Sequence, residues 1–210
     1  MIAFLDFDGT LLTRDSGRIC AVPGIRAGLV PPRRAARLVG TYLLHAARLR
    51  SRAAVQHVGF SCYSGRSLDE LRALMQELHD RHMRRFVSAP MRARVAEHRK
   101  RGDRLVIVTA SAFFFAEPLA RELGIDEVIG TQVGFADGRC TGIVDGEIVE
   151  GAVKLARARA YGVDLAACAF YSDHVADLPL LEAVGHPVAV GPHPPLARIA
   201  RARGWPIVSH

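Results

Sequence analysis

Three short apolar runs, each ending abruptly in polar residues, constrain this chain most. Residues 2–5 (IAFL) lead into Asp6-Phe7-Asp8-Gly9-Thr10, residues 105–108 (LVIV) into Thr109-Ala110-Ser111, and residues 168–171 (CAFY) into Ser172-Asp173. Short unbroken apolar runs bounded by turn residues read as strands buried on both faces. Further runs lie at 127–129 and 188–190, and segments of helical character fall between them: 91–101, 112–123 closed by Gly124, 153–161, 177–184 and 195–203. Strand and helix alternate with short loops, so the expected fold is α/β, a parallel sheet covered by helices on both faces. In such sheets ligands bind beyond the carboxyl ends of the strands. The polar clusters fall there.

Two regions break the alternation. Residues 14–88 carry no strand signal and read as helices over 32–51 and 68–87, a helical insertion placed just after the first strand. Residues 131–150 hold Ala136-Asp137-Gly138 and Asp145-Gly146 between alternating apolar positions, which predicts hairpins. At 210 residues the chain suits one α/β domain with a modest insertion. It has no stretch of 18 apolar residues and no basic, apolar and small-residue leader. Cys20, Cys62, Cys140 and Cys168 are scattered without a C-x-x-C pair and read as buried thiols. A cytoplasmic location is expected.

The formal charge is +7 and the pI about 9.8. Only Lys100 and Lys154 are lysines, so the excess reads as a coding preference for Arg and Ala, and nucleic acid is not an expected partner. The stretch 31–52, PPRRAARLVGTYLLHAARLRSR, is basic and amphipathic: Leu38, Tyr42 and Leu49 are expected to pack together while Arg33, Arg34, Arg37, Arg48 and Arg52 face water. Such arginines also suit steering of an anionic substrate or peripheral contact with anionic lipid. His79 and His82 read as surface residues.

The chemistry rests on the acids. Asp6 and Asp8, two apart at a strand end, converge on one point beyond the sheet. Held close, two carboxylates repel unless one is neutralised by a cation or protonated. A hard cation such as Mg²⁺ satisfies the first condition, and a raised pKa suits the other carboxyl to general acid work. Asp173 and Asp177, from S-D-H-V-A-D, add two more carboxylates at the same edge, although Asp177 also suits a helix cap. Thr109 and a nearby helix N-terminus are able to hold a phosphate, and Lys154 offers a compact positive charge.

These motifs resemble the haloacid-dehalogenase-like (HAD) phosphatases: D-F-D-G-T at 6–10, the apolar run ending in Thr109, Lys154, and S-D-H-V-A-D at 172–177, in the family's order. The phosphoserine-phosphatase-like branch is the nearest, in particular members with T-A-S in the second motif and R-G-W-P-I near 203–207. The resemblance implies a Rossmann-like three-layer core (1–13 and 89–210) with an inserted helical cap (14–88). It also implies a Mg²⁺-dependent phosphomonoesterase in which Asp6 is the nucleophile, forming an aspartyl-phosphate, and Asp8 the general acid and base. Thr109, Ser111 and Lys154 would bind the phosphorylated substrate. Asp6, Asp8 (through its carbonyl), Asp173 and Asp177 would hold the metal or its waters, or Asp177 would orient Lys154. Phosphoserine phosphatases carry S-G-G and G-D-G-x-N-D where this chain has Thr109-Ala110-Ser111 and Ser172 to Asp177. The candidate substrates are therefore small organic phosphates more broadly: histidinol phosphate, a lysophospholipid-like phosphate or a sugar phosphate. Transfer to an acceptor other than water and a pure binding role are the alternatives. His174 would reach the substrate or face solvent.

Overall fold

The computed structural model describes residues 1–26, 30–47, 49 and 52–210. Its strands are β1 (Ile2–Leu5), β2 (Arg104–Ala112), β3 (Glu127–Thr131), β4 (Val133–Ala136), β5 (Arg139–Val144), β6 (Ala169–Ser172), β7 (His186–Val190) and β8 (Ile207–Val208). The helices are α1 (Ser16–Arg26), α2 (Pro32–Ala46), α3 (Arg52–Ser61), α4 (Leu68–Leu78), α5 (Ala89–Lys100), α6 (Phe113–Leu123), α7 (Ala152–Arg159), α8 (Leu178–Ala183) and α9 (Pro194–Arg203).

Six strands form one sheet in the order β3-β2-β1-β6-β7-β8, and every pairing in it is parallel. Side chains of a strand alternate between faces, and both faces are apolar here. Ala3, Leu5, Leu105, Ile107 and Tyr171 pack with residues of α4, α5 and α6, among them Met75, Val95 and Leu119. Phe4, Val106, Val108 and Phe170 pack on the other face with Ala158, Leu180 and Leu196 of α7, α8 and α9. This is the expected three-layer α/β core. The chain leaves β1 for β2 and β3 on one side and later adds β6, β7 and β8 on the other. The topological switch point therefore lies between β1 and β6, where open sheets of this kind place their ligands.

The segment from α1 to α4 is inserted between β1 and α5. Leu12 and Val87 pair in an antiparallel bridge, which brings the two ends of the inserted segment together. Helix α4 starts in a capping box, Ser67 with Glu70, and the run continues to Phe86 through one wide and one tight turn. Several elements depart from the sequence expectation. Helix α1, with Pro23 inside it and little amphipathic pattern, was not expected. The predicted helix 32–51 ends at Ala46, Arg48 lies outside the described residues, and a separate α3 follows. One hairpin forms, β4–β5 around Asp137-Gly138; Asp145-Gly146 is only a bend, because the chain there leaves for α7.

Side-chain placement corrects three expectations. Arg34 does not face water: its guanidinium donates to the carbonyls of Ser61 (2.9 Å) and Ser64 (3.5 Å), closing the end of α3. Leu49 does not pack and is 71% exposed. His79 is no surface residue: it is 1% exposed and bonded to Glu122 at 2.7 Å, while His82 is half-buried. All four cysteines are buried and free, as expected. Among the described residues no helix is long and apolar enough to cross a membrane.

Candidate active site

Strand β1 delivers Asp6 to the sheet edge, where its N–H continues the ladder to the carbonyl of Tyr171 (2.9 Å). The chain then turns sharply over residues 7–11. Gly9 adopts φ +74°, and a Cβ there would stand 2.1 Å from Asp173 Oδ2, so only glycine lets the carboxylate lie against this backbone. His210 steadies the same turn: its Nε2 donates to the carbonyl of Gly9 (2.9 Å), while its Nδ1 accepts from Ser88 Oγ (3.0 Å). Nothing in the local pattern near residue 210 signals this contact.

Lys154, from the first turn of α7, is 2% exposed. Its Nζ lies 2.7 Å from Asp6 Oδ1 and 2.7 Å from Asp177 Oδ2, which also accepts from Ser172 Oγ at 2.7 Å. Burial alone would lower the lysine's pKa, but Asp177 and Asp6 outweigh it and hold the ammonium firmly charged. Asp6 is pushed up to about 6 by burial, against the pull of Lys154. Asp173 is pushed up to about 8, by burial first and then by the charges of Asp6 and Asp177.

Asp8 has a different set of partners. Its Oδ1 accepts from the backbone N–H of Ser16 at 2.6 Å, and its Oδ2 accepts from Ser111 Oγ at 2.6 Å. Burial, with Asp15 nearby, pushes it up to about 7 despite both bonds. Thr109 is 1% exposed in β2, just before the register slips towards Ala112, and its Oγ1 accepts from the N–H of Ser111 (3.1 Å). The sheet edge thus gathers Asp6, Asp8, Thr109, Ser111, Lys154, Asp173 and Asp177 from four segments. His174 is half-buried, with Nδ1 accepting from the N–H of Ala176 (3.1 Å) and its ring edge-on to His193. His193, which sequence reasoning did not single out, brings Nε2 to 3.5 Å of Asp173 Oδ2.

Asp6 and Asp177 flank one ammonium and Asp173 lies within their field, so all three are ionised together only with a further cation to neutralise the surplus. Among the described residues no three side chains of the Asp, Glu, His or Cys type form a ready-made metal cluster. The reason is local: Lys154 and Ser172 engage Asp177, while Ser16 and Ser111 engage the carboxylate of Asp8. Asp6, Asp173 and backbone carbonyls at the turn remain. That hard oxygen set fits Mg²⁺ rather than a soft metal.

The fold is that of a known hydrolase family. The family model for haloacid dehalogenase-like hydrolases matches residues 3–182, and the chain belongs to that family. The resemblance read from the four motifs is borne out. Phosphoserine phosphatase SerB1 of Mycobacterium tuberculosis is 35% identical over 147 residues, which cover 68% of this chain and 48% of the relative. The chain thus spans about half the length of that relative. A histidinol-phosphatase of Neisseria meningitidis is 32% identical over 155 residues, covering 68% of each. The crystal structure of a protein of unknown function from Bordetella pertussis Tohama I superposes with a TM-score of 0.86 at 32% identity, covering 99% of this chain and 97% of that one.

Proposed function

We propose that this chain is a phosphomonoesterase that hydrolyses a small organic phosphate through an aspartyl-phosphate on Asp6. The observation that carries the reading is the pairing of Asp6 with Lys154, with Asp8 held separately by Ser16 and Ser111. The two acids are thereby set up differently: Asp6 has an adjacent ammonium that favours its ionised form, while Asp8 has only neutral donors and burial raises its pKa. That split suits a nucleophile beside a general acid.

In the first step the Asp6 oxygen not held by Lys154 attacks phosphorus. The P–O bond to the leaving group breaks, and the leaving alkoxide takes the proton of Asp8. In the second step Asp8, now a carboxylate, takes a proton from water, whose oxygen attacks phosphorus and releases inorganic phosphate, restoring Asp6. Lys154, the Thr109 hydroxyl and the N-terminus of α6 hold the phosphoryl oxygens. Asp6, the Asp8 carbonyl and Asp173 would hold Mg²⁺, which would supply charge neutralisation to the transferring group. Asp177 orients Lys154. Residues 14–88 serve as a cap, tied to the chemistry because Ser16, the first residue of α1, donates to Asp8. The named relatives act on phosphoserine and histidinol phosphate, and both support a small phosphorylated metabolite as substrate.

Hydrolysis of an aryl phosphate, with and without Mg²⁺, tests this directly. Activity is expected only with the metal, with equal release of alcohol and phosphate, and Asp6→Asn is expected to abolish it. Undiminished turnover by Asp6→Asn would overturn the assignment. Alcohol released in excess of phosphate would show transfer to another acceptor.

A further inference from the structure

The basic excess of this chain is not spread over it. From residue 16 to residue 68 there is no Asp or Glu, while nine arginines fall in the span: 18, 26, 33, 34, 37, 48, 50, 52 and 66. That segment carries more positive charge than the +7 of the whole chain, so the remainder is net acidic. A uniform coding preference for Arg leaves no such division.

The same segment holds most of the misplaced apolar surface. Of eleven exposed large hydrophobic residues among the described ones, six lie between 22 and 49: Val22, Ile25, Val39, Leu43, Leu44 and Leu49. On α2 the inward face is Ala35 and Leu38, packed with Val30 and Cys62. The opposite face carries Ala36, Val39 and Leu43 on one flank and exposed Arg33 and Arg37 on the other. The Arg18 guanidinium lies 5.1 Å from the Tyr42 ring centre and joins α1 to α2. Arg18, Val22 and Ile25 of α1 are exposed as well. An ordinary solvated helix face mixes charges of both signs. This one is aliphatic and cationic only.

We propose that the exposed face of α2 is a docking surface for an anionic phospholipid bilayer, lying in its interface plane. Aliphatic side chains enter the boundary of headgroup and acyl chain, while guanidinium groups bond lipid phosphates, the pattern of an interfacial amphipathic helix. A second copy of the chain fits poorly, because the face would meet its own like charge. Nucleic acid would engage the arginines but gives exposed Val39, Leu43 and Leu44 nothing to bury against.

Co-sedimentation of the full chain with phosphatidylcholine vesicles, with and without phosphatidylglycerol, tests the surface and needs no catalytic activity, so it stands or falls apart from the phosphatase reading. Binding is expected only with the anionic lipid. Val39→Asp/Leu43→Asp should abolish it, and the single Leu43→Gln should weaken it without threatening the fold. Arg33→Gln/Arg37→Gln should weaken binding about thirty-fold, at ~1 kcal/mol per charge. Arg198→Gln/Arg201→Gln, an equal charge loss on α9, should leave it unchanged. Absence of binding by the folded wild type would sink the proposal, as would retained binding by the Asp pair or an equal loss from the α9 pair. A wild-type dimer that the Asp pair converts to monomer would assign the face to self-association instead.

Discussion

Ser111 Oγ donates to Asp8 Oδ2 across 2.6 Å, joining two residues 103 positions apart in sequence. The bond favours the ionised carboxylate and so opposes the burial that pushes Asp8 up to about 7. Ser111→Ala removes that opposition, and the Asp8 pKa must rise. The limb of the pH–rate profile that reports Asp8 is expected to move to higher pH. Hydrogen bonds to charged groups are worth ~1.5–3 kcal/mol, so a fall in kcat of about ten- to a hundredfold should accompany the shift. A raised KM with the limb unmoved would mark Ser111 as a substrate ligand instead.

The contact between Gly9 and Asp173 makes a separate prediction. A Cβ at Gly9 would overlap Asp173 Oδ2, and φ +74° already disfavours any other residue. Gly9→Ala is expected to cost ~1–3 kcal/mol in strain and to displace a carboxylate proposed to hold Mg²⁺. In thermal unfolding, Mg²⁺ should raise the wild-type Tm by mass action, and a chelator should reverse the rise. In Gly9→Ala the rise should vanish. A variant that keeps the full Mg²⁺ response would remove Asp173 from the metal site.

How far the sequence carried is clear from individual residues. Unbroken apolar runs can hardly be anything but interior strands, so β1, β2 and β6 were legible, and with them the edge where Asp6, Thr109 and Asp173 meet. The bond from Ser16 to Asp8 was not legible, because a backbone N–H carries no residue signature. Nor was the His210 contact with Gly9, which joins distant segments with no local pattern. His79 misled because its acidic partner is remote in sequence: Glu122, 43 residues on, is bonded to its buried ring. The insertion was legible as helical, but not the limits of its individual helices. Pro23 and Gly24 inside α1 defeat propensity, and packing on the neighbouring turn decides the outcome.

Lys154 is the buried cation on which Asp6 and Asp177 both depend. Lys154→Met fills the volume but strands the two carboxylates. Breaking a buried pair by removing one partner costs ~3–5 kcal/mol, and urea unfolding near pH 8 should show a loss of that order. Without the ammonium that lowers it, the Asp6 pKa rises above its present value of about 6. At pH 6 Asp6 is then protonated and less costly to bury, so the gap between variant and wild type should narrow. A gap that stays constant from pH 8 to 6 would mean that Asp6 is not the stranded charge.

Glu122 contributes acid-sensitive stability on the side of the sheet that carries α6. Its carboxylate accepts from His79 Nε2 (2.7 Å), Arg84 Nε (3.2 Å) and Arg92 Nη2, fastening α6 to the end of α4 and to α5. Burial would raise its pKa, but the three donors outweigh it and hold it down to about 2. A carboxyl depressed in the folded state stabilises above its unfolded value and loses that contribution as pH falls through its folded value. The contribution should therefore be complete above about pH 5 and decline from there to about pH 2. Glu122→Gln removes it. Plotted against pH, the difference in Tm between wild type and this variant should be flat above about pH 5 and shrink steadily below it. A difference that persists undiminished at pH 2 would show that the glutamine disrupts packing rather than charge.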